Sequence, residues 1–110
     1  MFKVFAYLTK RQGLTSDAFM DYYENHHVPL VLSLAPMPRV YKRNYVVRDD
    51  AANLSAITFD VVTEMVWDDR AGFESWIALL GVPAIAEDEA RFLDRSQTKA
   101  HLIDERSSAS

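Results

Sequence analysis

The sequence predicts an α+β fold whose elements run β-α-β-β-α-β. Three observations predict it. Four short runs rich in β-branched and aromatic residues are interleaved with two stretches whose apolar residues recur at helical spacing. Each helical stretch falls between two strand-like runs, which makes a split βαβ, or ferredoxin-like, order. With 110 residues, 49% of them hydrophobic and 25% charged, the chain has the length and composition of one ordinary soluble domain.

Residues 2–9 form the first strand, and Lys10 to Gly13 a polar loop. Thr15 or Ser16 caps the first helix, on which Phe19, Tyr22, Tyr23 and His26 lie at i, i+3, i+4 and i+7 on one stripe. Pro29 offers no N–H and disfavours helical geometry at Val28, so this helix is expected to break near His27, with a short second turn over Leu30 to Leu34. Strands follow over 39–48 and 56–67, linked by Asp49 to Ser55. A second helix starts near Asp68 or Asp69 with Phe73, Trp76, Ile77 and Leu80 on its apolar face; Gly81 and Pro83 interrupt it, and a third piece runs from about Ala84 to Asp94. Residues 96–104 form the last strand. The folded domain is expected over 1–105, and the polar residues 106–110 have no reason to order.

A sheet covered by helices on one face should alternate apolar and polar residues. These strands do not. Phe2, Val4, Ala6 and Leu8 lie on one face of the first, but Phe5 and Tyr7 lie on the other. Phe59, Val61 and Met65 likewise oppose Val62 and Val66. Both faces are expected to be covered, and a twofold homodimer with facing sheets supplies the cover. The space between the sheets is then a natural cavity for an apolar ligand.

The net charge of −4 and the absence of a basic stripe argue against nucleic acid as a partner. No run is long enough to span a membrane, and the N-terminal run is too short for a signal peptide. The chain has no cysteine, which removes disulfides and thiolate chemistry and fits a reducing, cytoplasmic setting. Three glycines form no phosphate loop, and no serine sits in a nucleophile elbow, so ATP, dinucleotides and covalent serine catalysis are not expected.

The most informative stretch is Tyr22-Tyr23-Glu24-Asn25-His26-His27-Val28-Pro29-Leu30. Histidine takes up and releases protons near neutral pH, and two of the chain's three histidines stand side by side where the helix must change. His26, on the inward stripe, is the expected general base. His27, about 100° further round, is expected at the edge of the stripe in a supporting role. That separation also argues against a joint metal site. Tyr22 and Tyr23 can present hydroxyls to a substrate oxygen. Tyr41, Arg43 and Tyr45 share a face of the second strand, and Arg43 can meet an oxyanion or form an ion pair with Asp60 or Glu64. Asp60 and Glu64 share a face of the third strand, where a carboxylate needs a partner; Asp60 can orient a histidine. Trp67 falls on the opposite parity, as core. His101 is expected to be structural, and Glu87-Asp88-Glu89 to be a solvated helix face.

Three segments together resemble the EthD-like family of the dimeric α/β-barrel superfamily: Phe19-x-x-Tyr22-Tyr23-x-x-His26-His27-x-Pro29-Leu30, Phe59-Asp60-x-Val62-x-Glu64-x-x-Trp67, and Glu87-Asp88-Glu89-Ala90-Arg91-Phe92. The resemblance implies ferredoxin-like protomers paired through their sheets, with no obligatory metal or organic cofactor. Better understood relatives include lactone isomerases, polyketide cyclases or dehydratases, and decarboxylases. The expected function is therefore histidine acid–base catalysis on a small aromatic, polyketide-like or lactone compound, of lyase, isomerase or cyclase type. His26, His27 and Asp60 would be catalytic; Tyr22, Tyr23, Tyr41, Arg43 and Glu64 would bind substrate. The alternatives are a cofactor-free monooxygenase of the same superfamily and a non-catalytic small-molecule-binding accessory protein.

Overall fold

A computed structural model describes residues 1–48, 50–53 and 56–108. Parts of the expected 49–55 link and 106–110 tail lie outside the described residues. The elements are β1 (Phe2–Leu8), α1 (Ser16–Tyr22), a π-helical segment (Tyr23–His27), α2 (Val28–Leu34), β2 (Val40–Tyr45), β3 (Val61–Trp67), α3 (Arg70–Leu80), α4 (Pro83–Phe92), a 3-10 turn (Arg95–Gln97) and β4 (Lys99–Ile103). The fold is ferredoxin-like α+β, as its sequence predicts, with strands two to four shorter than expected at their loop ends.

The four strands form one antiparallel sheet in the order β2-β3-β1-β4. β1, the most continuously apolar strand, takes a central place. It pairs with β3 from Phe2↔Trp67 to Leu8↔Val61, and with β4 from Lys3↔Ile103 to Tyr7↔Lys99. This register puts Val4, Ala6, Leu8, Val61, Thr63, Met65 and Trp67 on the helix-covered face, where all are buried. The other face has half-buried Phe5, Tyr7 and Val62 at its centre, with Phe59 edge-on to Tyr7 at 5.2 Å. Lys3, Lys42, Glu64 and Lys99 surround that apolar centre.

The expected break in the first helix is replaced by a change of pitch. Thr15 caps α1, its hydroxyl accepting from the Ala18 N–H at 3.1 Å. The chain then stays helical through Pro29 to Leu34. A proline ring clashes with the carbonyl four residues back in an α-helix, here that of Asn25. The widened π turn relieves that clash: the Val28 N–H bonds to the Tyr23 carbonyl, five residues back. The proline predicts a disturbance correctly, and the disturbance is an extra residue in one turn.

Asp69 caps α3, its side chain accepting from the Gly72 N–H at 3.1 Å. Gly72 lets the helix lie close on the sheet, since a Cβ there would sit 3.1 Å from the Trp67 side chain. Pro83 occupies the first turn of α4, where its missing N–H costs nothing. Phe19, Val31, Val61, Thr63, Ile85 and Phe92 are fully buried between helices and sheet.

Candidate functional site

The π segment decides which histidine enters the protein. In an unbroken α-helix, Phe19, Tyr23 and His27 drift round the axis by about 40° per step of four residues. One wider turn cancels the second step and returns His27 to the stripe of Phe19 and Tyr23. All three are buried. His26 turns outward by the same shift: it is exposed and stacks on Tyr22 at 4.9 Å between ring centroids. The expected roles of the two histidines are thereby exchanged in position. π turns of this kind recur at functional sites.

His27 Nδ1 lies 2.8 Å from Asp88 Oδ2, and both residues are 5% exposed. The Tyr22 hydroxyl donates to the other Asp88 oxygen at 2.6 Å, and Arg91 approaches that oxygen at 3.7 Å. Asp88 is thus the carboxylate that orients the histidine, in place of the expected Asp60, and Glu87-Asp88-Glu89 is not a solvated face. Burial pushes the His27 pKa down, and the Asp88 hydrogen bond opposes that shift without cancelling it. The ring is neutral at pH 7. Asp88 accepts the Nδ1 proton, which leaves Nε2 as a bare base. Among the described residues His27 hydrogen-bonds through Nδ1, and no fully buried side-chain polar atom is left without a partner, so the unbonded Nε2 is accessible rather than sealed in.

His27 lines an apolar cavity of about 100 Å³ between the helices and the sheet. The cavity lies within the protomer, on the opposite side of the sheet from the expected inter-sheet space. Its walls include Val4, Ala6, Met65, Trp67, Trp76 and Leu80. It reaches the surface where exposed Ile77, Thr98 and Ala100 border it. A cavity of roughly 150 Å³ accepts benzene; at about 100 Å³ this one is smaller and takes part of a ring, with the rest of the molecule at the open mouth.

Tyr23, Tyr41, Thr63 and Glu89 supply the remaining polar lining with Thr98 and His27. The Tyr23 hydroxyl pairs with Thr63 Oγ1 at 2.7 Å and is consumed by that bond. The Tyr41 hydroxyl lies beside that of Tyr23. Burial lifts the Tyr41 pKa to about 12, so this phenol stays protonated and able to donate. Burial also raises the Glu89 carboxyl; Arg95, 3.3 Å from Oε1, opposes that shift.

The other expected site residues lie elsewhere. Arg43 grips Glu24 with two bonds, of 2.9 and 2.6 Å, and Tyr45 donates to the same carboxylate at 2.6 Å. Arg43 therefore ties the π segment to β2, and its partner is neither Asp60 nor Glu64. Asp60 is buried just before β3, where it accepts from the Lys10 N–H at 2.7 Å and from Arg48. It anchors loops. Glu64 faces the open side of the sheet and pairs with Lys3 at 3.1 Å. Tyr22 touches Asp88 rather than the cavity, and His101 is exposed on β4. Among the described residues no three His, Cys, Asp or Glu side chains converge as a metal site, and no helix is long and apolar enough to cross a membrane.

Asp88, Glu89, Thr63 and Glu24 are the site residues that the sequence reading missed. Asp88 had a legible signal: Ile85, Asp88 and Phe92 stand at i, i+3 and i+7, an inward stripe.

The family model described as the EthD domain matches residues 11–96. No functionally curated protein matches the sequence. Among solved structures, an ethyl tert-butyl ether degradation (EthD) family protein from Bacillus halodurans is 19% identical, with a TM-score of 0.66 over 96% of this chain and 100% of that one. A protein titled antibiotic biosynthesis monooxygenase is 16% identical, with a TM-score of 0.60 over 97% of this chain and 100% of the other. A dimeric ferredoxin-like protein of unknown function from Thermobifida fusca is 15% identical, with a TM-score of 0.55 over 93% of this chain and 88% of that one. At these identities the structural likenesses speak for the fold, while the family match extends over most of the chain. This protein belongs to the EthD family.

Proposed function

We propose that the protein is a small cofactor-independent enzyme that moves a proton on a neutral aromatic, polyketide-like or lactone compound. His27 is the general base, Asp88 its positioning residue, and Tyr41 the donor to the oxygen on which charge develops. One observation carries the reading: a histidine whose Nδ1 is held at 2.8 Å by the buried Asp88 carboxylate lines an apolar cavity. The substrate is neutral because the cavity lining includes a glutamate and neither lysine nor arginine. Proton abstraction beside a carbonyl, or from a phenol, then leads to isomerisation, cyclisation or dehydration.

The test is hydrogen–deuterium exchange at the carbon beside the carbonyl, in D2O, for a panel of single-ring ketones and lactones. Exchange above the buffer rate that disappears in His27→Gln supports the reading. No exchange by the wild type, with ligand bound, favours a carrier.

A carbanion or phenolate made by the same base can react with oxygen, so a cofactor-free monooxygenase is the second reading, favoured by the likeness to a protein of that title. Oxygen consumption with a quinol or anthrol separates the two. The apolar centre of the open sheet face supports a homodimer with facing sheets, and a monomer at micromolar concentration in sedimentation would overturn that assignment. A cytoplasmic setting goes with the absence of cysteine.

A further inference from the structure

Asp88 and Glu89 are neighbours on α4, and adjacent helical residues point about 100° apart. The two carboxylates therefore serve different places. Asp88 is fully engaged by His27 and Tyr22. Glu89 reaches the same cavity separately, with a side chain only 15% exposed and with Oε1 held by Arg95. Nothing in the base chemistry of His27 uses it. A carboxylate in an apolar lining is costly for a site that needs only shape.

We propose that Glu89 is the second acid–base group of the cavity, delivering a proton to a different atom of the substrate from the one that His27 deprotonates. The proposal rests on the reading of His27 as base. It narrows the reaction to proton relocation along a conjugated ring compound. On a β,γ-unsaturated ketone, His27 Nε2 takes a proton from the carbon between the carbonyl and the double bond. The C–H electron pair becomes a new C=C bond, and the carbonyl π pair moves to oxygen, which Tyr41 holds by a hydrogen bond. The dienolate then collapses: its oxygen reforms the carbonyl, and the γ-carbon takes a proton that the Glu89 carboxylate has picked up from solvent at the cavity mouth. Imidazolium and carboxylate remain and exchange one proton through solvent at the cavity mouth. The product is the conjugated isomer, with no oxidant or reductant required.

The probe is 3-cyclohexen-1-one in D2O, followed by NMR with wild type, Glu89→Gln and His27→Gln. Exchange at C2 reports His27, and conversion to 2-cyclohexen-1-one with deuterium at C4 reports Glu89. Glu89→Gln should lose about a hundredfold in isomerisation while C2 exchange falls far less, so that the ratio of the two rates shifts by at least about tenfold. The retained exchange shows that the cavity has folded; if Gln unfolds the protein, Glu89→Met, which also lacks the carboxyl, carries the same comparison. Full isomerisation by Glu89→Gln overturns the proposal. Equal loss of both signals in a folded Glu89 variant also overturns it, because Glu89 then acts only through His27 or the cavity shape. A wild type that moves neither proton overturns His27 as base, and this proposal with it.

Discussion

His27 and Asp88 stand 61 residues apart in the chain and share a hydrogen bond of 2.8 Å between side chains that are each only 6% exposed. The bond joins the π segment to α4 and fixes which ring nitrogen carries the proton. Each partner needs the other, since an unpaired buried polar group costs about 1–3 kcal/mol.

Asp88→Asn tests that bond. The amide can donate to Nδ1 and so favours the tautomer with the proton on Nε2, which turns the base into a donor. We expect kcat/KM to fall at least about a hundredfold, mostly in kcat, with the fold intact by circular dichroism. Unchanged kcat would remove Asp88 as a positioning residue.

The two histidines should separate cleanly. His27→Gln is expected to lower kcat by roughly 10²–10⁴-fold. His26→Ala, at an exposed position outside the cavity lining, should stay within about twofold of wild type. Steady-state rates of both variants decide the assignment, and a large loss in His26→Ala would reverse it.

The pH dependence follows from two opposite shifts. The folded His27 pKa lies below its ordinary value of 6.5, so between the two values only the unfolded chain holds the proton. The corresponding stability is full above 6.5 and is lost as pH falls through the lowered value. The acid limb of kcat/KM should likewise lie below 6.5. Glu89 is raised from 4.5, so its contribution is full below that value and is lost as pH rises through the folded pKa. Melting temperatures of the Gln variants across this range should show each slope disappear singly.

Thr63→Val leaves the Tyr23 hydroxyl buried without its 2.7 Å partner. A loss of about 1–3 kcal/mol is expected in denaturant unfolding. Adding Tyr23→Phe should restore part of it, because the orphaned hydroxyl goes too. Strict additivity would mean that the pair is not coupled.

Pro29→Ala removes the reason for the wide turn. The helix can then close with ordinary α spacing, which rotates His27 away from the Phe19–Tyr23 stripe. Activity should drop while the melting temperature holds or rises. A structure of the variant with the π segment unchanged would show that Arg43 and Tyr45, through Glu24, hold the turn by themselves.

The element order was legible because alternation in Phe2–Leu8 and helical spacing in Phe73, Trp76, Ile77 and Leu80 are local signals. The histidine site was legible only as a neighbourhood. His26 and His27 differ by one residue, and a single π turn, set by Pro29 and by a tertiary clamp on Glu24, moves one in and the other out. Sequence spacing assumes a uniform pitch and carries no sign of that turn. Asp88 was hidden by its charged neighbours, although its place between Ile85 and Phe92 already put it on the inward stripe. Asp60 and Glu64 show the converse: strand parity places a carboxylate on a face, and only the folded sheet shows that Arg48 and Lys3 already occupy them.

The most direct test of the central claim is the long-range proton–nitrogen NMR spectrum of the His27 ring from pH 4 to 8. The ring is expected to be neutral at pH 7 with the proton on Nδ1 and a bare Nε2, and to titrate below 6.5. A proton on Nε2 at neutral pH, or titration above 6.5, would contradict that claim.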